Sequence, residues 1–242
     1  MAWAAPGLLR VRQRVRVEER EPGGDATGPY WVFAVVRVES GGIGYLHGDA
    51  RVAPPGRSFA VFMPPWSIVL PDRTTCVAST AALVSRTPAF EGAPSTAVAW
   101  PWRGGDPPAS VEAIARTVRG GGGFVDISRE ADPTPAARRA KVILDESYDR
   151  PVTLATLAAQ AGLSASVLSR AFSRDYGMPP VQYRHRLRVM DAMFRLAAGE
   201  RILPLLHDVG FGDAGRFYAQ FRSLLCAPPG SYAARRSRNA KT

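Results

Sequence analysis

Two segments of this 242-residue chain repeat one frame, and that repeat constrains the fold more than any other feature. "LSASVLSRAFSRDYGMPPVQY" (163–183) aligns with "FGDAGRFYAQFRSLLCAPPGSY" (211–232). Leu168 matches Phe217, Phe172 matches Phe221, Gly177 matches Cys226, Pro180 matches Pro229 and Tyr183 matches Tyr232, each 49 residues on. Upstream the offset is 48, pairing Leu154 with Ile202, Leu157 with Leu205, Gly162 with Gly210 and Leu163 with Phe211. The one-residue change falls in a turn, where insertion is cheapest. A helix, a glycine turn, a second helix, a proline stop and a tyrosine, repeated in order, indicate one unit used twice.

Each unit has the grammar of two helices joined by a tight turn. In the first, Ala158 is small where the helices must approach. Gly162 can adopt the left-handed conformation that stops a helix, and Ser164 is placed to cap the next one. Leu168 and Phe172 face the core, which leaves Ala165, Ser166, Ser169 and Arg170 outward. In the second unit Gly210 breaks the chain, Asp213 caps, Phe217 and Phe221 anchor, and Ala214, Gly215, Arg216 and Ala219 face out. Pro204 lies in the second unit's first helix, where only a position near the start tolerates it.

The preceding residues read differently. "LLRVRQRVRVEE" (8–19) alternates apolar and charged residues as a half-buried strand does. "PYWVFAVVRVES" is β-branched and aromatic and is followed by "GGIG" as a turn. "SFAVFM", "SIVL" and "TTCVASTAALVS" are short runs punctuated by Pro and Gly, a spacing that favours a small β-barrel or sandwich. In "PPASVEAIARTVRGGGG" (107–123), Val111, Ile114, Ala115 and Val118 share a helical face behind Ser110 as N-cap. That stripe could meet a second copy of the chain or pack back onto the strands. "FVDISREADPTP" reads as a linker. Beyond it "PAARRAKVILDESYD" starts with proline in its first turn and has Ala140, Val142, Ile143 and Leu144 as its apolar side.

The reading is therefore α+β: a β-barrel over 1–105, a helix and linker over 106–133, and an all-α domain over 134–238. Charge separates the two halves. Residues 1–130 carry a net +2 and residues 131–242 a net +8, so the helical half suits a polyanion. Two distant cysteines, Cys76 and Cys226, give no disulfide framework and fit a reducing compartment. "YWVFAVV" (30–36) is the longest strongly apolar run, too short to cross a bilayer. A cytoplasmic protein with no membrane partner is expected.

With "TLATLAAQAGLSASVLSRAF", "YGMPPVQYRHRLRVMDAM" and "VGFGDAGRFYAQFRSLLCAPPGSY" in view, the chain resembles the AraC/XylS family of bacterial transcription regulators over about residues 135–236. The resemblance implies two helix-turn-helix units joined by one linker helix, double-stranded DNA as partner, and a cupin-like N-terminal barrel for an effector or for homodimerisation. RNA polymerase is a further partner for such a regulator. Leu206 stands where the family favours a small residue, and Cys226 where it favours glycine.

Arg170 and Arg216 are the candidates for base reading, because a guanidinium matches guanine O6 and N7 bidentately. Ser166 and Ser169 can bond bases or phosphate, whereas Ala165, Ala214, Gly215 and Ala219 offer close approach without directional readout. Arg174, Arg184, Arg186, Arg188 and Arg222 are expected at phosphates. Trp31, Phe33, Phe59, Phe62 and Trp66 are the candidate effector-lining side chains, with barrel core as the plainer reading. The rivals are an architectural DNA binder without sensing and an enzyme on a cupin-like barrel. Metal chemistry on such a barrel needs several His and carboxylate ligands, and residues 1–130 hold only His47. No catalytic residue, metal or cofactor is assigned.

Overall fold

The computed structural model describes residues 2–5, 8–16, 25–47, 50–71, 75–85, 87–120, 133–225 and 227–233. Ten strands precede seven helices among them. The strands are β1 (Ala2–Ala5), β2 (Leu8–Arg16), β3 (Asp25–Ala26), β4 (Trp31–Ser40), β5 (Ile43–His47), β6 (Ala50–Val52), β7 (Ser58–Met63), β8 (Ile68–Pro71), β9 (Cys76–Val84) and β10 (Val98–Pro101). They form two antiparallel sheets, in the orders β1-β2-β9-β4-β7-β10 and β3-β8-β5-β6. The described ladders do not close on themselves, so the expected barrel is here a pair of open sheets.

Strand β4 shows why the larger sheet is apolar on both sides. Val32, Ala34, Val36 and Val38 point to one face and join a core with Tyr45 and Val52 of the smaller sheet. Phe33 points to the other, where Phe62, Phe90, Trp100, Ile114, Ala115 and Val118 complete a separate core. Those last three residues belong to α1 (Val111–Gly120). Ser110 Oγ accepts from the Ala113 amide at 3.2 Å, the expected N-cap. The apolar stripe of α1 is thus buried against the sheet. Of the two placements its sequence allowed, packing back onto the strands is the one seen. Most of the expected linker, residues 121–132, lies outside the described residues.

The helical half contains α2 (Pro135–Ser147), α3 (Leu154–Ala161), α4 (Ala165–Tyr176), α5 (Pro180–Ala197), α6 (Ile202–Asp208) and α7 (Ala214–Leu225). Val142, expected inside, is 49 % exposed, and Lys141 takes the buried place. Lys141 can do so because its Nζ lies 2.7 Å from Asp145 Oδ2, while Tyr183 Oη donates to Asp145 Oδ1 at 2.5 Å. Pro204 is the third residue of α6, inside the first turn, where no intrahelical amide bond is lost.

The helical half packs directly on the sheets. One continuous core runs from Val32, Tyr45 and Val61 to Met193, Leu206, Phe217 and Phe221. Tyr30 stacks on Phe194 of α5 with ring centroids 4.2 Å apart. A Cβ added at Gly177, which has φ +72°, would sit 2.8 Å from Leu70 Cδ2, so glycine permits this approach of the first unit to β8.

Candidate nucleic-acid interface and internal cavity

The repeat is structural to the residue. Helices α4 and α7 begin and end 49 positions apart, and both of their leading turns close in the same way. Leu163 N donates to Ala158 O at 2.9 Å in the first unit, and Phe211 N donates to Leu206 O at 2.7 Å in the second. Gly162 N to Ala159 O is likewise matched by Gly210 N to His207 O. Ser164 Oγ accepts from the Val167 amide, and Asp213 Oδ1 accepts from the Arg216 amide at 2.7 Å. Tyr183 packs on Phe172 at 5.6 Å as Tyr232 packs on Phe221 at 5.4 Å. Leu206, at the position of Ala158, is accommodated because its side chain turns into the core shared with the sheets, where it is buried.

The inward anchors fix which residues face out. With Leu168, Phe172 and Tyr176 buried, α4 presents Ser166, Val167, Arg170 and Arg174; Ala165 and Ser169 are half-buried. With Phe217, Phe221 and Leu225 buried, α7 presents Gly215, Arg216, Tyr218, Ala219, Arg222 and Ser223; Ala214 is half-buried. Val167 and Tyr218 were missed by sequence reasoning, although the helical period places each one turn from an exposed arginine, Arg170 and Arg222 respectively. Arg174 Nε is held by Asp175 Oδ1 at 2.8 Å while its side chain stays 65 % exposed. Asp175 also receives the amide and hydroxyl of Thr134, which ties the start of α2 to the end of α4.

The arginines of α5 expected at phosphates are less exposed. Arg188 is buried and donates to Tyr148 O, Arg150 O and Gly210 O at 2.5–3.0 Å, fastening the loop after α2 to the turn of the second unit. Each of its three nitrogens donates to a backbone carbonyl, so this side chain, expected at a phosphate, is held inside the joint. Gly210, at φ +89°, completes this joint. A Cβ there would meet Asp149 O at 2.3 Å and the Arg188 guanidinium at 2.7 Å. Arg184 donates to Val152 O and is half-buried. Arg186 lies on the opposite side of α5, on the wall of a cavity facing the sheets.

A cleft of about 500 Å³ opens between the units, lined by Thr153, Leu154, Arg184, Arg188, His207 and Phe211 among others. Positive charge is concentrated around it. Desolvation pushes Arg188 down to about 10, helped by the like charges of Arg184 and Arg216. His185, stacked on Phe211, is pushed down to about 4, first by burial and then by Arg216, Arg184 and Arg188. Arg184, Arg188 and Arg216 thus repel one another here, while Asp149 on the cleft wall offsets part of that charge at Arg188.

None of the five expected effector-lining aromatics touches the cavity between the sheets. Trp31, Phe33 and Phe62 lie in the core beneath α1, where Trp31 stacks on Phe62 and Phe90 at 5.3 Å and Phe33 meets Trp100 edge-on at 5.7 Å. Phe59 faces inward but packs edge-on to Tyr45. Trp66, at φ +68°, sits at the seam with the helical half, 6.2 Å from Tyr148. The assignment is corrected by strand alternation: Val32, Ala34 and Val36 line the cavity, and the aromatics beside them point away. Among the described residues no three His, Cys, Asp or Glu side chains gather to hold a metal, and no helix is long and apolar enough to cross a membrane.

Residues 157–235 match a family model described as a helix-turn-helix domain. The activator RhaS of Pectobacterium atrosepticum is 34 % identical over 89 residues, which cover 36 % of this chain and 32 % of that protein. A putative AraC-like transcription regulator of Streptomyces lividans is 34 % identical over 103 residues, 42 % of this chain and 33 % of that protein. The match thus spans about a third of the length of these relatives. The helical half of the chain is thus similar to AraC-like helix-turn-helix regulators. Among solved structures, ToxT of Vibrio cholerae aligns over 92 % of this chain and 97 % of its own at 10 % identity and a TM-score of 0.44. The C-terminal domain of AraT from Geobacillus stearothermophilus aligns over 45 % of this chain and 93 % of its own at 21 % identity and a TM-score of 0.40.

Proposed function

We propose that this protein is a DNA-binding transcription regulator that uses both helix-turn-helix units and answers to a small molecule held by its β-rich N-terminal part. The observation that carries the reading is the paired exposure of Arg170 and Arg174 on α4 and of Arg216 and Arg222 on α7, each pair on a helix whose opposite face is fully anchored. Helix α5 sets the separation of the units. Its 18 residues span roughly 27 Å at about 1.5 Å each, against the ~34 Å between successive major grooves. Tilt of the units and bending of the DNA cover the difference.

The first unit carries more of the base preference in this reading. Ser166 and Arg170 offer directional hydrogen bonds and Val167 a methyl-sized apolar contact, whereas α7 offers Gly215 and Ala219 beside Arg216. Arg174 and Arg222 supply phosphate grip, and the positive cleft between the units adds to the field that attracts the duplex. RNA polymerase is the partner on which such a regulator would act. Selection of DNA from a random pool with the full chain tests the reading. The expected product is a site with two determinants about one helical turn apart; recovery of no preferred sequence, with an affinity indifferent to salt, refutes it.

A further inference from the structure

Laid in register, the two units carry different chemistry on matching parts of their outer faces. The shared turns, caps and anchors place each position of α4 on the position of α7 that lies 49 residues on. Val167 therefore corresponds to Arg216, and Arg170 to Ala219. All four side chains are exposed. In each helix the two positions are three residues apart and so lie on one face. Counted from the start of the helix, the first unit presents an apolar side chain and then an arginine. The second presents an arginine and then an apolar side chain.

We propose that the two units read the same two kinds of base pair in opposite order along their helices. Each subsite holds a G·C pair beside an A·T pair. Arg170 meets the G·C pair from the later position of α4 and Val167 the A·T pair from the earlier one, whereas on α7 Arg216 meets G·C from the earlier position and Ala219 meets A·T from the later one. This deepens the regulator reading and rests on it.

The chemistry of each position selects its pair. A guanidinium bonds guanine O6 and N7 together, and a small apolar side chain meets the thymine methyl group. Val167 is β-branched and confined to one rotamer in a helix, so its methyls form a fixed surface. Against a G·C pair it would cover polar base edges without bonding them, which costs their desolvation. Three residues rise about 4.5 Å along a helix, close to the ~3.4 Å between base pairs, so positions three apart suit neighbouring pairs. One motif read twice would instead require the methyl group of Ala219 to do the work of the Arg170 guanidinium.

Selection of DNA by the full chain, followed by titration of altered sites, tests the order. Replacing the G·C pair of either subsite should weaken binding at least about fivefold. Uracil in place of thymine in the first subsite removes only a methyl group and should weaken binding about fourfold, a difference that Val167→Ser abolishes. The double variant Val167→Arg, Arg170→Ala should select a first subsite with its two pairs transposed and the second unchanged. The double variant Arg216→Val, Ala219→Arg should transpose the second and leave the first. All four substitutions fall on exposed positions, away from the buried anchors of both helices. Subsites that follow neither exchange, or a uracil substitution without effect, would overturn the proposed order, and a two-part selected site would still uphold the regulator reading. Recovery of no preferred sequence would overturn both.

Discussion

Tyr30 donates to Asp191 Oδ1 at 2.8 Å and so bonds the loop before β4 to the middle of the linker helix. The residues are 161 positions apart and both are buried. Tyr148 also bonds Asp191, and Arg195 lies 3.8 Å from its carboxylate while reaching Glu200 at 2.7 Å and Asp208 of α6 at 3.0 Å. One carboxylate therefore joins the sheets, the end of α2, the linker helix and, through Arg195, the second unit. Burial raises Asp191 above the usual carboxylate range, against the lowering by Tyr30 and Arg195.

Removing the Tyr30 hydroxyl isolates this bond. Tyr30→Phe keeps the ring that stacks on Phe194 and withdraws one donor from a buried carboxylate. A loss of about 1.5–3 kcal/mol is expected, read as a lower urea midpoint at unchanged slope. An unaltered midpoint would mean that water replaces the phenol and that the joint is not held here.

The Arg188 joint makes a second prediction. Arg188→Ala leaves three backbone carbonyls without their donor and should cost at least about 2 kcal/mol. Arg188→Lys should recover little, since a single ammonium cannot span three acceptors as the planar fork does. Gly210→Ala should cost about 1–2 kcal/mol from the left-handed backbone alone, with the Asp149 carbonyl clash added. Chemical unfolding reads all three, and near-native stability of Arg188→Lys would refute the fork.

These joints mark the border of what the sequence made legible. Helix ends are decided by local chemistry, so Ser164, Asp213, Gly162 and Gly210 located both units to the residue. Anchors every third or fourth position then fixed their outer faces. The role of Arg188 was hidden because it depends on three carbonyls from two distant loops. A surface arginine and a buried one look alike in a helical period. The sheet aromatics failed for a related reason. Alternation separates Phe33 from Val32 and Ala34, but both faces of this sheet are covered, one by α1 and one by the smaller sheet. The period names two sets of residues and leaves open which set lines a hollow. The short strands β5, β6 and β10 were missed because glycine, arginine and proline dilute their apolar runs.

Acid sensitivity follows from two histidines. His185 is pushed down to about 4 mainly by burial, and His47 also to about 4 by burial and the charge of Lys141. Both are neutral in the folded chain at pH 5–6, whereas in the unfolded chain they take up a proton near 6.5. The unfolded state binds more protons between these values, so stability rises with pH there and is lost as pH falls from 6.5 toward 4. Urea midpoints should drop across this window, and His185→Gln should flatten the slope. An identical slope in the variant would remove His185 from the account.

The candidate interface makes the prediction with the widest reach. Arg170 and Arg174 are one turn apart on the exposed face of α4, yet they are assigned different work. Arg170 projects from the middle of that face and suits a base edge. Arg174, one turn nearer the end of the helix, is paired with Asp175 and is proposed as a phosphate contact. Arg170→Ala should therefore cost about 1–3 kcal/mol at the selected site and relax preference at one base pair. Arg174→Ala should weaken all sequences alike and reduce the salt slope by about 1. The arginines of α7, Arg216 and Arg222, occupy other positions of the repeat, where Ala219 aligns with Arg170; Arg216→Ala should bring a smaller loss of preference, because Gly215 and Ala219 beside it carry no directional group. Competition binding against single-base variants of the site at two salt concentrations separates these outcomes. A greater loss of preference in Arg216→Ala than in Arg170→Ala would reverse the ordering of the two units.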